Sequence, residues 1–177
     1  VLYVKSFSKL LMPGIRTAFL IAPRKMIQSL SMARYATDLS GSGFIQRALA
    51  VYFHNGCWES NIAQLSSYYR QRREIALKAA KKWRAFGVKT APVQGGFGLW
   101  LTLPQGITDE EIYRRCKQKE VLVAPGSTFY LSPMAGAAQH LRISFASTEK
   151  LEKGLQLVGE SLREAVNEKR EGHLLFI

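Results

Sequence analysis

Short apolar runs alternate along the chain with longer stretches whose apolar residues recur at helical spacing. The runs at 1–4 and 17–22 predict two buried strands of one sheet, joined by a polar loop. Apolar residues three and four positions apart predict helices from Pro23 to about residue 35 and over residues 44–54. The first part of the chain is therefore predicted to be two strands followed by two helices.

A seven-residue apolar repeat predicts one long helix over residues 58–86. Arg72 falls in the neighbouring apolar row, where a charge either snorkels to solvent or has a buried partner. After Gly87 the period changes, and the pattern predicts a small α/β unit. Its strands are predicted at 88–91, 97–103, 121–124 and 141–145, and its helices at 109–119 and 149–167.

The last predicted helix has a continuous apolar stripe, and Ser147 or Thr148 is suited to cap its first turn. The segment 168–177 continues the stripe poorly, so we predict that the helix ends before it.

Composition is that of an ordinary globular protein, with 47% apolar and 21% charged residues among 177. The formal net charge of +12 comes from basic residues spread along helices, without a recognisable DNA-binding motif. Such a charge also suits a pocket for anionic ligands. No run is long enough to predict a membrane span, and the first residues lack a signal-peptide pattern, so we expect a cytoplasmic protein.

Cysteine and histidine residues do not predict a metal site. Cys57 and Cys116 lie in helical patterns without metal-like spacing, so buried thiols are favoured over a disulfide or ligands. The three histidines are far apart, and no serine lies in the context of a hydrolase nucleophile.

The loop after the first apolar run carries the main candidate chemistry. Ser6, Ser8 and Lys9 follow residues 1–4, and Arg16 lies seven residues after the lysine. Hydroxyl groups and a guanidinium bind phosphate well, and a lysine amine beside them is suited to a Schiff base with pyridoxal phosphate. The same residues also fit a solvated loop, because most loop lysines are exposed. The residues alone leave both interpretations open.

Arg142 is the second candidate, because it interrupts the apolar strand 141–145. A buried guanidinium without an anion is costly, so this residue either binds an anion or faces solvent from an edge strand. A bidentate contact with a carboxylate suits its planar shape.

Residues 1–23, with their Ser-Phe-Ser-Lys turn, resemble the lysine segment of fold-type I aminotransferases. The similarity is greatest to 2-aminoadipate/kynurenine-type aminotransferases and to the aminotransferase-like domains of MocR-type regulators in the GntR family. Further segments resemble that family in the same order, to about Asn167. They are Gly95-Gly96-Phe97-Gly98-Leu99-Trp100-Leu101, Val123-Ala124-Pro125-Gly126-Ser127-Thr128-Phe129 and Leu141-Arg142-Ile143-Ser144-Phe145-Ala146. The resemblance implies that the first two border the substrate cleft and shape selectivity for the substrate side chain.

The resemblance implies an α/β fold, the C-terminal part of a fold-type I large domain followed by a small α/β domain. The implied boundaries are 1–57 for the large-domain part, 58–86 for a connecting helix, 87–170 for the small domain and 171–177 for a tail. It also implies that Arg72 on the connecting helix has a structural partner.

The resemblance implies pyridoxal 5'-phosphate as the cofactor. Lys9 would bind it covalently and act as the catalytic base, and Ser6, Ser8 and Arg16 would bind its phosphate. Arg142 would bind the α-carboxylate of an amino acid or 2-oxo acid substrate. No metal is implied.

In this family a carboxylate and an aromatic ring that hold the cofactor lie upstream of the lysine, and neither Asp38 nor Asp109 matches that carboxylate. We therefore expect the chain to be the C-terminal part of a longer aminotransferase, inactive by itself and homodimeric when whole. The alternative is the effector domain of a MocR/GntR-type transcriptional regulator, which would bind DNA through a separate N-terminal domain.

Overall fold

The computed structural model describes residues 1–132, 139–146 and 149–174. The chain forms two compact units, Val1–Ser67 and Tyr68–Ile177, and the boundary between them falls within one long helix. Within the described ranges, no helix has the length and apolar character needed to cross a membrane.

The first unit begins with an antiparallel ribbon of β1 (Tyr3–Ser6) and β2 (Ala18–Ile21). Two helices follow, α1 (Arg24–Asp38) and α2 (Gly43–His54), and the unit ends in the first part of α3 (Cys57–Trp83). The side chain of Ser42 caps α2, because its hydroxyl accepts a hydrogen bond from the Ile45 amide. The predicted order of two paired strands and two helices is confirmed.

The burial predicted for the strands of the first unit is wrong. None of residues 1–67 is fully buried in this structure, and both strands are exposed throughout. Large apolar side chains remain accessible, among them Val4 at 62%, Met32 at 63% and Phe44 at 81%. A two-stranded ribbon has too little surface to cover its own apolar side chains.

The second unit is an antiparallel sheet with helices and a separate core. The strand order is β3-β4-β6-β5, and every pair is antiparallel. The elements are β3 (Lys89–Thr90), β4 (Gly98–Thr102), α4 (Asp109–Gln118), β5 (Ala124–Pro125), β6 (His140–Ser144) and α5 (Leu151–Leu174).

Alternation along the central strands decides which side chains enter this core. Leu99 and Leu101 of β4 are paired with Ile143 and Leu141 of β6, and all four are buried. The residues between them point to the opposite face of the sheet. The apolar stripe of α5 and the inner residues of α3 and α4 complete one continuous cluster. The α/β fold predicted from the change of period is confirmed for this unit.

Helix α5 is longer than predicted, since it continues to Leu174 rather than ending near residue 167. The extra turns carry polar contacts to other elements. Glu168 accepts hydrogen bonds from Arg115 of α4 at 2.6 and 2.9 Å, and the Lys169 amine contacts the Gly106 carbonyl oxygen. The candidate caps Ser147 and Thr148, and residues 175–177 of the predicted tail, lie outside the described residues.

Arg72 has the structural partner that the sequence predicted. Its Nε donates to the carbonyl oxygen of Phe145 at 2.5 Å, and its guanidinium lies 5.2 Å from the centre of the Tyr68 ring. A hydrogen bond from a charged donor secures the end of the central strand to α3.

Asp109 is buried, with 2% of its surface exposed, and it joins two elements of the second unit. One carboxylate oxygen accepts from the Glu110 amide and the other from the Ser127 amide, both at 2.8 Å.

We expect Asp109→Ala to lower the free energy of unfolding by about 2–3 kcal/mol, because two amides lose a charged acceptor. Urea unfolding measures this. The neighbouring exposed residue supplies the control, Glu110→Ala, for which about 0.5 kcal/mol or less is expected; equal losses would contradict the role of Asp109.

The two cysteines differ in exposure, which corrects the prediction that both are buried. Cys57 is exposed at the start of α3, whereas Cys116 is fully buried in α4. Burial raises the pKa of the Cys116 thiol, so it forms less thiolate at neutral pH than an exposed cysteine does.

Ellman's reagent is expected to modify Cys57 rapidly and Cys116 about 100-fold more slowly, after local opening. In a Cys57→Ser variant the rapid phase should vanish; a persistent rapid phase would show that Cys116 is accessible.

Candidate active site

The turn that carries Lys9 is built on the end of the first ribbon. The Phe7 amide donates to the Thr17 carbonyl at 3.0 Å, and the amides of Leu10 and Leu11 donate back to the Phe7 carbonyl at 3.1 and 2.9 Å. The chain therefore turns sharply over Ser8 and Lys9. The lysine side chain is exposed, and no ion pair with it is found among the described residues.

The two serines and the second cation lie at the same end of the ribbon. The Ser6 hydroxyl accepts a hydrogen bond from the Ser8 amide at 3.2 Å. Arg16 immediately precedes Thr17, which is bonded to Phe7, so it lies beside the lysine turn. The structure thus brings together the four residues that the sequence predicted for the cofactor.

Arg16 has a left-handed backbone conformation, with φ 47° and ψ 34°. Residues other than glycine seldom adopt this conformation, and it persists only where the surroundings impose it. It closes the short 3-10 turn Pro13–Ile15 and directs the chain into β2.

Asn61 of α3 is a positioning residue that sequence reasoning missed. Its side-chain amide donates to the Leu10 carbonyl at 2.9 Å, across 51 residues of sequence. This bond fastens the lysine turn to the helix. A polar residue near the start of a helix carries no local signal for such a contact.

The donors of this turn fit the chemistry of pyridoxal phosphate. A primary amine can condense with its aldehyde, and two hydroxyls with a guanidinium suit its phosphate dianion. The first unit does not present a matching carboxylate for the pyridine nitrogen, since its acidic residues are Asp38 and Glu59 and Asp38 lies near Arg34. The residues present therefore fit the aldehyde and the phosphate of the cofactor.

Arg142 belongs to the second unit, where it forms a separate group with aromatic residues. It is half-buried on β6, directly opposite Trp100 of β4, and its guanidinium carbon lies 5.9 Å from the centre of the Phe129 ring. Gly98 faces the backbone of β6, since a Cβ there would lie 2.8 Å from the Ile143 carbonyl oxygen, whereas its distance of 3.5 Å from the arginine Nε would be an ordinary contact. Among the described residues no carboxylate pairs with Arg142.

Aromatic rings continue from Arg142 along the same face of the sheet. The Trp100 ring lies edge-on to Phe129 at 5.6 Å and is stacked with the His140 ring at 5.4 Å. The Tyr130 hydroxyl lies 3.4 Å from His140 Nδ1. The resemblance singled out the segments of Trp100 and Phe129 but not Tyr130 or His140, which the sheet and the turn before β6 bring beside them.

The family model for aminotransferases of class I and II matches residues 1–158, which include both groups. The chain belongs to this family. The match covers the lysine turn, the connecting helix and the strand of Arg142, so the resemblance stated from the sequence is confirmed.

Curated relatives of this aminotransferase-family chain include enzymes and regulators. It is 29% identical over 93% of its length to aromatic-amino-acid aminotransferase 1 of Thermococcus litoralis, covering 39% of that protein. It is 30% identical over 92% of its length to the transcriptional regulator TauR of Rhodobacter capsulatus, covering 34% of that protein. The chain thus spans little more than a third of the length of these relatives.

Solved structures show the same fold. LysN, the α-aminoadipate aminotransferase of Thermus thermophilus complexed with N-(5'-phosphopyridoxyl)-L-leucine, matches 94% of this chain with a TM-score of 0.86 and 28% identity. The chain covers 43% of that structure. Kynurenine aminotransferase of Pyrococcus horikoshii, in complex with PMP, matches 93% of the chain with a TM-score of 0.84 and 30% identity. The predicted fold, part of a fold-type I aminotransferase, is confirmed.

Proposed function

We propose that the whole protein containing this chain is a pyridoxal-phosphate-dependent aminotransferase, which moves the amino group of an amino acid to a 2-oxo acid. The observation that supports the proposal is that Ser6, Ser8, Lys9 and Arg16 all lie at the same end of the first ribbon. An exposed amine close in the chain to phosphate-binding groups suits covalent attachment of this cofactor.

In this proposal each residue has one task. Bound pyridoxal phosphate supplies the aldehyde that captures the amino group and a conjugated ring that accepts electrons released at Cα. Lys9 binds the cofactor covalently and, once displaced by substrate, takes the proton from the substrate Cα. The hydroxyls of Ser6 and Ser8 and the Arg16 guanidinium hold the phosphate. Arg142 binds the substrate carboxylate through two parallel hydrogen bonds, which fixes the direction of the Cα–H bond.

The remaining sequence predictions are part of the same proposal. The whole protein would have the predicted domain boundaries, with 1–57 in the large domain, 58–86 as the connecting helix and 87–170 as the small domain, and would act in the cytoplasm. A homodimer is supported by the exposed apolar side chains of the first unit, because such surfaces usually become covered on association.

A second candidate is favoured by the likeness to the regulator TauR. In that case the same residues would bind a cofactor and an amine effector, and DNA would be bound by a separate N-terminal domain. Both candidates use the lysine turn, so binding of the cofactor alone does not separate them.

Turnover separates the two functions. The whole protein, supplied with pyridoxal phosphate, is incubated with a panel of amino acids and 2-oxoglutarate, and the new amino and 2-oxo acids are quantified. Catalytic amounts of product support the aminotransferase. The regulator would become the better assignment if the cofactor bound covalently, at most one equivalent of product formed, and an amine changed the binding of DNA.

The aromatic residues beside Arg142 favour a substrate with one carboxylate and an aromatic side chain. Trp100 and Phe129 give a ligand held by Arg142 an apolar surface on which a ring can stack.

We expect Trp100→Leu to lower kcat/KM for phenylalanine about tenfold and to leave kcat/KM for alanine within about twofold, since stacking contributes about 1 kcal/mol beyond burial. Steady-state kinetics with both amino acids test this. Equal losses for the two substrates would instead show that Trp100 only supports the position of Arg142.

A further inference from the structure

A groove of about 610 Å³ lies between the second half of α3 and α5, entirely within the second unit. Neither Arg142 nor the aromatic residues beside it line this groove. Its volume falls in the range of small-molecule sites in proteins. It is therefore a separate place to look for a ligand.

The floor of the groove combines apolar surface with one polar group. Ile75, Ala79, Phe86 and Leu155 supply apolar surface. Trp83 lies among them with 3% of its surface exposed, and its indole N–H has no acceptor among the described residues. The indole nitrogen is not one of the fully enclosed polar atoms that lack a partner in the described residues, so its N–H keeps some accessible surface and can donate to a ligand.

Gly159 of α5 shows where that N–H is directed. A Cβ on Gly159 would lie 2.6 Å from Trp83 Nε1, so the polar edge of the indole faces α5 at a residue that itself lines the groove. Any larger residue at position 159 would collide with the indole. The absence of a side chain there leaves the space beside the indole nitrogen unfilled.

The charges at the rim have an excess of cations. Lys78, Lys82 and Arg163 line the groove, and none of them forms an ion pair within the described part of the chain. Two carboxylates also line the groove. Glu160 lies 3.9 Å from the Lys119 amine and accepts a hydrogen bond from Gln156 at 3.0 Å, whereas Glu152 forms no ion pair within the described residues. The groove therefore has three cations and one unengaged carboxylate at its rim, above an apolar floor.

We propose that the α3–α5 groove binds a small amphiphilic carboxylate. The apolar part of the ligand packs on Phe86 and Leu155, the carboxylate accepts from the Trp83 N–H, and Lys82 with its neighbouring cations neutralises the charge. An apolar body alone would leave the indole N–H without an acceptor. A ligand without an apolar body would leave the floor uncovered.

Decanoate is the probe for this site in the 177-residue chain. The chain has three tryptophans, so the changes Trp58→Phe and Trp100→Phe leave Trp83 as the reporter. We expect decanoate to change the emission of Trp83 in a saturable way. We expect decanol, which lacks the carboxylate, to bind at least about tenfold more weakly. Because the exposed apolar surface of the first unit can also attract an alkyl chain, the local emission of Trp83 is more informative than total heat.

Lys82→Glu and Lys81→Glu form a matched pair that changes net charge equally. Lys82 lines the groove, and the exposed neighbour Lys81 does not. We expect the change at 82 to weaken decanoate binding by about tenfold or more and the change at 81 by less than about twofold. The proposal would be overturned if the two changes had equal effects, if decanol bound as tightly as decanoate, or if binding did not saturate. It would also be overturned if the groove bound an acidic helical peptide in place of decanoate. None of these results depends on the aminotransferase function.

Discussion

Replacement of Lys9 by alanine is expected to lower amino-group transfer by the whole protein by about 1,000-fold or more, because it removes both the covalent anchor and the base at Cα. Borohydride reduction followed by peptide mass spectrometry provides a measurement that does not depend on activity. In the wild-type protein the peptide containing Lys9 should gain one phosphopyridoxyl group. The variant should not gain it.

Lys5→Ala is the matched control for this experiment, since Lys5 is an exposed lysine on β1, four residues before the candidate. It should retain the modified peptide and activity within about twofold, as for surface changes away from a site. Lys9→Arg keeps the charge but cannot form the covalent link, so it should behave like the alanine variant. Modification of another lysine in the wild-type protein would contradict the assigned role of Lys9.

Replacement of Arg142 by leucine is expected to reduce kcat/KM for amino acids by about 100- to 1,000-fold, because a charged, bidentate contact with the carboxylate is lost. The residue is half-buried, and none of the described residues supplies a carboxylate partner, so it is available to a ligand. Arg142→Lys keeps the charge without the planar fork and should lose about 10- to 100-fold. Arg114→Leu on the exposed surface of α4 is the control and should change kcat/KM by less than about twofold.

Comparison of phenylalanine with phenethylamine distinguishes carboxylate binding from a structural role of Arg142. The wild-type protein should process the amino acid much faster than the amine that lacks a carboxylate. The leucine variant should lose most of that preference while its rate with the amine changes little. A parallel fall with both compounds would show that the arginine supports the fold of the strand rather than the substrate.

Local patterns were sufficient to predict most elements of this chain. The seven-residue apolar repeat predicted the long helix, which ends at Trp83 and continues as a 3-10 turn to Phe86. The change of period after Gly87 and the short apolar runs predicted strands at 97–103 and 141–145, where the structure has β4 and β6. These predictions hold because spacing along one element determines which of its side chains share a face.

Patterns within one element were insufficient where contacts come from distant segments. The prediction that Val1–Val4 forms a buried strand assumed neighbouring elements that would cover it, and none of residues 1–67 is buried in this chain. The length of α5 was underestimated because Glu168 and Lys169 are held by residues of other segments. Burial and the ends of helices depend on such partners, which the local sequence does not contain.

The sequence by itself determined which family this chain resembles and which residues are candidates for its site, because the Ser-Phe-Ser-Lys turn, Arg16 and Arg142 are recognisable from residue type and order. Only the tertiary structure decided which residues surround them: Asn61 at the lysine turn, Trp100 and Phe129 beside Arg142, and the groove above Trp83. The physical reason is that the functional groups are consecutive or lie on one strand, whereas their surroundings come from segments that meet only when the chain folds.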